Sequence, residues 1–350
     1  MKKISVLIVI ILFSSITACS GNSSTSSNNP EESQDSVILV THDSFAVSDT
    51  TFDIFTSITG IKVQQVSVGD TGQLISSALL TSSEPLGDVL FGIDNTFLSR
   101  GIEGGIFEAY ISPNLQNLPT DFSHETSELV TPIDYGHVCI NYWIESFNKD
   151  LEAPKTLDDL IKPAYADLLV VQNPETSSPG LAFLLSTISK YGERWQEYWE
   201  ALRNNGVSVT SDWESSYYGE FIAGGGDRPI VVSYASSPVA ELIYADPPVV
   251  TSPTAVIKDS CFKQIEYAGI LSGSKKQRAA QKLIDFMLTN DFQDDIPLNM
   301  FMMPVSKFSN LPPEFDLYEE IPDPIDPISS TEIQEKRNLW TEEWTNLVLR

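Results

Sequence analysis

Twice in this chain an apolar, β-branched run is followed by Ser-Ser-Pro and then by an apolar helical pattern. The first copy runs from the strand-like residues 168–171 through Thr176-Ser177-Ser178-Pro179-Gly180-Leu181 to Leu185. The second runs from residues 230–232 through Ser233-Tyr234-Ala235-Ser236-Ser237-Pro238 to Leu242. Serine is a preferred residue ahead of a helix, and proline suits the first turn because its missing N–H is not needed there. Each copy therefore predicts a strand, a hydroxyl-lined turn and a helix start. Free N–H groups and the helix dipole at such a turn favour anionic or carbonyl-like groups. Two of them in one chain point to a cleft for a polar small molecule.

The first hundred residues alternate in the same way. Strand-like runs at 37–41, 62–67 and 88–92 are separated by helical periods at 52–59 and 71–80. That order argues for an α/β fold with a mostly parallel sheet, whose ligands lie at the carboxyl ends of the strands. His42-Asp43-Ser44, Gly69-Asp70-Thr71 and Asp94-Asn95 all fall there. Further on, 135–142 reads as a long strand, 154–160 as a helix opening on Pro154, and 191–204 as a helix with Trp195, Tyr198, Trp199 and Leu202 on one face. Residues 207–210 read as a strand, 217–222 as a helix and 266–271 as a return strand. Residues 276–289 form an amphipathic helix, and 332–349 a last helix packing through Leu339, Trp340, Trp344 and Leu347.

The start of the chain reads as an address. Lys2 and Lys3 precede a short apolar stretch and then Ile16-Thr17-Ala18-Cys19. This is the pattern of a secretory signal ending in a lipobox, over residues 1–19, with Cys19 as the lipidation site. Residues 20–36 are Ser, Asn, Thr, Gly, Pro and acids without an apolar face, the composition of a disordered tether. No later segment is long and apolar enough to span a bilayer.

The formal net charge is -27, a field that repels nucleic acid and anionic lipid and attracts cations. Of the three cysteines, Cys139 and Cys261 remain beyond the lipobox. Outside the cell they can pair or stay as buried thiols. No cysteine pair has zinc spacing, and the three histidines, His42, His124 and His137, sit in no metalloprotease, Walker or G-x-S-x-G pattern. The expectation is a binding protein without catalytic residues, metal or cofactor.

Several motifs then occur in order: His42-Asp-Ser-Phe45, Gly92-Ile-Asp-Asn95, Pro132-Ile-Asp-Tyr-Gly136, Thr176-Ser-Ser-Pro-Gly-Leu181, Trp213 with Tyr218-Gly219, Ser233-Tyr-Ala-Ser-Ser-Pro238 and Met303-Pro-Val305. With them the chain from about Val37 onward resembles the thiamine-binding receptors of ABC importers, in the periplasmic-binding-protein superfamily. The resemblance implies a two-lobed, type II-like α/β fold. Residues 37–134 with 264–350 make one lobe, residues 135–263 the other, and the ligand lies between them. Hinge strands near 135–142 and 261–271 let the lobes close. It further implies a monomer that delivers thiamine or a thiamine phosphate to a membrane permease.

By the same resemblance the ligand-binding residues are Asp70, Thr71, Ser177, Ser178, Trp213, Tyr234, Ala235, Ser236 and Ser237, with His42 and Phe301 at two further positions. Asp70 would face the thiazolium charge, Trp213 and Tyr234 would supply aromatic faces, and the serines would take the hydroxyethyl arm or its phosphate. The family often has Tyr at His42, Trp at Phe301 and Tyr at Ala240. The rival ligands are ferric iron, suggested by the adjacent Tyr217 and Tyr218, and a polyamine, suited to an acidic cleft.

Overall fold

The computed structural model describes residues 35–120, 122, 127–317 and 328–350. The signal segment, Cys19, His124 and most of the tether lie outside the described residues.

Strand β1 (Ser36–Thr41) leads through α1 (Thr51–Thr59) to β2 (Lys62–Ser67), and α2 (Thr71–Leu80) leads to β3 (Val89–Asp94). Helix α3 (Leu98–Glu103) and the short β4 (Phe107–Glu108) precede the long β5 (Thr131–Trp143). The next unit is α4 (Leu157–Leu160), β6 (Leu169–Gln172), α5 (Ser178–Tyr191), α6 (Trp195–Asn204) and β7 (Ser208–Thr210). A π-helical stretch, Ser215–Glu220, comes before β8 (Ile230–Tyr234) and α7 (Ser237–Ile243). Strand β9 (Thr254–Leu271) returns along the whole molecule to α8 (Gln277–Met287). The short α9 (Asn290–Gln293), α10 (Ile296–Asn299) and β10 (Met303–Pro304) follow, and α11 (Ser330–Val348) ends the chain.

Among the described residues the strands form one sheet in the order β2-β1-β3-β9-β5-β8-β6-β7, with β4 on β9 and β10 on β5. β2, β1 and β3 are parallel, as are β8, β6 and β7. Between these two parallel sets lies the antiparallel pair β5 and β9, joined from Thr131↔Ala268 to Trp143↔Thr254. The expected parallel units are thus present, but their common spine is antiparallel. The 266–271 run proves to be only the end of an 18-residue strand. Its earlier part is hard to read because Lys258, Asp259 and Lys263 interrupt the apolar pattern.

Three helical expectations shift for local reasons. The helix expected from Pro154 begins only at Leu157, because Thr156 and Asp159 close a reciprocal capping box there. The 191–204 helix is split at Gly192, where α5 ends and a single 3₁₀ turn reorients the chain into α6. In α11, Trp340 and Trp344 are buried as expected, but Leu339 is exposed and Ile333, Arg337 and Val348 complete the inner face. Helix α5 is buried from Ser178 to Ile188. It packs against β9, β5, β6 and β8 on one side and α6 on the other. An all-round apolar surface requires that central place.

The spine carries a disulfide. Cys139 of β5 and Cys261 of β9 are bonded across a register shift between the two strands. They sit in a small apolar cluster with Ala235, Val239 and Phe315.

Candidate functional site

The two Ser-Ser-Pro turns place their helices as the sequence suggests. Ser177 precedes α5 with Pro179 in its first turn, and Ser236 and Pro238 do the same for α7. In neither case does the serine side chain cap its own helix. The second hydroxyl of each pair reaches sideways instead. Ser178 Oγ donates to Asp94 Oδ2 at the end of β3. Ser237 Oγ bonds Ser233 Oγ at 2.9 Å.

The first turn already holds an anion, and that anion belongs to the protein. Asp70 Oδ1 accepts from Thr71 N at 2.6 Å and from Ser178 N at 3.3 Å, while its Oδ2 accepts from Trp213 N at 3.2 Å. Asp70 therefore caps α2 and ties it to the starts of two segments on the β8-β6-β7 side. Gly72 N donating to Thr176 O (3.0 Å) and Ser44 Oγ donating to Glu214 Oε1 (3.0 Å) reinforce the same crossing. Burial pushes the Asp70 carboxyl above its usual range, opposed by Ser177, the Thr71 amide, His42 and the Ser178 amide.

Between these contacts and the β5/β9 spine lies a cavity of about 520 Å³, within the range of small-molecule sites. Nine of the eleven expected residues line it: His42, Asp70, Thr71, Ser178, Trp213, Tyr234, Ser236, Ser237 and Phe301. Ser177 and Ala235 are not on its wall. Ser177 is sealed behind the Asp70 carboxyl, and Ala235 faces the apolar cluster around the disulfide. The two turns thus give Ser178 and Pro179, and Tyr234, Ser236 and Ser237, to the wall, while Ser177 and Ala235 are turned into the protein.

Trp213 is held from three directions. Its indole stacks on Tyr217 at 4.9 Å between centroids and 21° between planes, Tyr218 meets it edge-on at 5.5 Å, and Nε1 donates to Ser233 Oγ at 3.0 Å. Tyr217 is fixed in turn, its hydroxyl donating to Glu241 Oε1 at 2.7 Å. Tyr217 and Tyr218 both reach the cavity wall, although their adjacency in a helical pattern argues that they diverge. Opposite stands Phe301, held at φ +55°, with Tyr244 edge-on at 5.5 Å. A left-handed backbone at a bulky residue is strained and persists only where surrounding structure enforces it.

His42 lies at the inner end of the cavity, 3.2 Å from Glu266. The pair is close enough for an ion pair but off hydrogen-bond geometry. Burial lowers the pKa of His42, yet Glu266, Asp70 and Asp43 outweigh it and leave it raised. Gly92 makes room for this imidazole. It adopts φ +95°, and a Cβ there would stand 2.2 Å from His42 Cδ2, so both conformation and space demand glycine.

Asp94 is the buried acid of this floor. Burial, aided by Glu266, raises it from 3.8 to about 6 despite hydrogen bonds from Ser178, Thr96 and the Phe97 amide. The folded protein therefore retains a proton at Asp94 that the unfolded chain releases between about pH 4 and 6. By linkage, stability from this group falls as pH rises through that window, by about 3 kcal/mol in all for a two-unit shift. Asp94→Asn keeps the acceptor for Thr96 and Phe97 and is expected to flatten this part of the profile. Urea unfolding at pH 4.5 and 7.0 checks it, and the same slope in variant and parent would show that Asp94 is not the group responsible.

Sequence reasoning did not single out Gln264, Glu266, Glu214, Glu241 or Tyr244, all of which line the cavity. Glu266 left a signal: it is a lone carboxylate inside the run Ile265 to Leu271, where a buried charge demands a reason. The others carry none, because only the folding of distant segments brings them to the wall.

The fold and the acid- and ring-lined cleft define a solute receptor of the periplasmic-binding-protein type. The family model for bacterial extracellular solute-binding proteins matches residues 84–335, and the chain belongs to that family. Its place is accordingly extracytoplasmic. The chain is 28% identical over 317 residues to the thiamine-binding periplasmic protein of Escherichia coli (strain K12), covering 89% of this chain and 92% of that one. It is likewise 28% identical over 320 residues to the thiamine-binding periplasmic protein of Brucella suis biovar 1 (strain 1330), with the same coverage. Among solved structures, a periplasmic thiamin binding protein aligns with a TM-score of 0.78 at 26% identity, over 90% of this chain and 96% of that one. Iron-bound HitA from Pseudomonas aeruginosa aligns with a TM-score of 0.73 at 18% identity, over 88% of this chain and 99% of that one, a likeness of fold.

Proposed function

We propose that this protein is the receptor of an ABC importer, that it binds thiamine between two lobes, and that it hands the vitamin unchanged to a membrane permease. The observation that carries the reading is the make-up of the cavity wall. Asp43, Asp70, Asp212, Glu214, Glu241 and Glu266 line it together with Trp213, Tyr217, Tyr218, Tyr234, Tyr244 and Phe301, and no Lys or Arg is among the lining residues. Such a wall suits a flat, cationic ligand. Thiamine, with an aminopyrimidine and a positively charged thiazolium, is that kind of molecule. The names of the relatives support the choice. A polyamine would use the acids but leave the rings idle.

The same wall ranks the forms of the ligand. A phosphate would meet six carboxylates and no Lys or Arg among the lining residues. One amide of the first serine turn, that of Ser178, is already engaged by Asp70. Unphosphorylated thiamine is therefore the preferred form, with the phosphates weaker in order of charge.

The lobes are residues 37–134 with 264–350 and residues 135–263, closing about β5 and β9. The contacts of Asp70, Gly72 and Ser44 across the cleft belong to the closed state. A lipid on Cys19 and the tether at 20–36 would hold the receptor at the membrane surface.

Calorimetry of residues 37–350 with thiamine, its monophosphate and its diphosphate tests the reading, after unfolding and refolding to remove carried ligand. One-to-one binding with thiamine tightest is expected. Trp213→Ala should weaken it by about 2 kcal/mol, roughly thirtyfold, through loss of the stacked face. A folded protein that binds none of the three overturns the function, and unchanged affinity in the variant removes Trp213 from the site.

A further inference from the structure

Gln264 and Glu266 occupy alternate positions of β9, so their side chains leave the same face of the strand. Both line the inner end of the cavity, and both are almost wholly buried, at 0% and 4% exposure. The hydrogen-bond network fixes the Gln264 amide. Ser178 gives its proton to Asp94, so it must accept from Gln264, and Gln264 Nε2 lies 2.9 Å from Ser178 Oγ. Gln264 Oε1 is thereby turned away from Ser178, buried and without a hydrogen-bond partner. A buried acceptor left unpaired is costly, and a ligand that supplies a donor removes that cost.

Glu266 adds a carboxylate beside it. His42 stands on one side at 3.2 Å, off hydrogen-bond geometry. On the other side is Asp134, its register neighbour on β5, whose carboxyl burial and Glu266 hold protonated to well above the usual range. Asp94 of β3 is its register neighbour on the opposite flank. The floor thus presents an amide oxygen and a carboxylate side by side, with Tyr234 above and no Lys or Arg among the cavity residues.

We propose that Gln264 and Glu266 form the specificity subsite of this receptor, taking the N–H-donating edge of an amino-substituted heterocycle. The proposal rests on the thiamine reading. It assigns the 4-aminopyrimidine edge to the floor and leaves the thiazolium to the aromatic wall around Trp213. A ligand carrying oxygen in place of that amino group loses both exocyclic N–H donors, sets a carbonyl oxygen against the two acceptors, keeps only a ring N–H, and is bound more weakly. Loss of a required hydrogen-bond donor to a buried polar site is the strongest form of discrimination available to such a pocket.

The test is calorimetry of the parent protein with thiamine and with oxythiamine, in which the pyrimidine 4-amino group is replaced by oxo. The same pair is then measured on Glu266→Gln, whose fold is checked by its melting temperature. The parent is expected to prefer thiamine by thirtyfold or more. Glu266→Gln is expected to bring the two ligands within about threefold, because a glutamine amide can donate to the oxo group as well as accept. Thiamine binding by the parent with no preference over oxythiamine overturns this inference and leaves the proposed function standing. A ratio unchanged in a folded Glu266→Gln also overturns it. A parent that binds neither ligand overturns the proposed function and this inference with it. The parent comparison needs no variant, so the proposal can be overturned even if Glu266→Gln does not fold.

Discussion

Replacing Asp70 with alanine is expected to lower affinity for the proposed ligand roughly a hundredfold, and by the same factor for a cationic and a neutral analogue. The expectation departs from treating Asp70 as the partner of the ligand's charge. Both of its oxygens are engaged by backbone amides, and two of those, Ser178 N and Trp213 N, come from the opposite side of the cleft. Charge-assisted hydrogen bonds contribute about 1.5–3 kcal/mol each when one partner is removed. Both bonds are long, 3.3 and 3.2 Å, so at the lower end of that range the two make about 3 kcal/mol, hence about two decades of affinity. The loss falls on closure, which every ligand needs, so it does not depend on ligand charge. Calorimetry of Asp70→Ala with thiamine and an uncharged analogue separates the cases. A loss confined to the cation would restore Asp70 as a direct counter-ion.

Breaking the disulfide is expected to cost about 3–5 kcal/mol of folding stability. Cys139 and Cys261 are 122 residues apart, and a cross-link closing so long a loop removes much of the unfolded chain's freedom. The bond also joins β5 to β9, the antiparallel pair between the two parallel sets, inside a small apolar cluster. Cys139→Ala/Cys261→Ala, compared with the parent by urea unfolding, should show the loss. The parent treated with reductant should approach the variant. Equal midpoints for parent and variant would show that the sheet pairing alone holds the spine.

Legibility differed by element. The βαβαβ opening and the two Ser-Ser-Pro turns were readable because each is set by residues within a few positions of one another. Thr71–Leu80 formed with the expected bounds, and Asp70 caps it. The resemblance placed nine of its eleven residues on the cavity wall. Ser177 and Ala235 fell behind it, the one against Asp70 and the other in the apolar cluster around the disulfide. The full length of β9 was not legible, since Lys258, Asp259 and Lys263 interrupt the apolar pattern of its earlier part. Residues 261–271, Gln264 and Glu266 among them, read as a hinge strand, but nothing local showed that these two side chains line a cavity.

The sequence alone determined the α/β class, the strand–turn–helix units, the apolar faces of α6 and α8 and, through ordered motifs, the family. These are matters of local conformational preference and hydrophobic period, which act over a few residues. The tertiary structure alone decided which groups meet: that Asp70 holds the opposing turn, that Cys139 bonds Cys261, and that Gln264 and Glu266 line the cavity side by side. The Asp70 and disulfide pairings join residues more than a hundred positions apart. They depend on strand register and on how the two parallel sets fold against the β5/β9 spine, where a shift of one residue would turn each side chain to the other face.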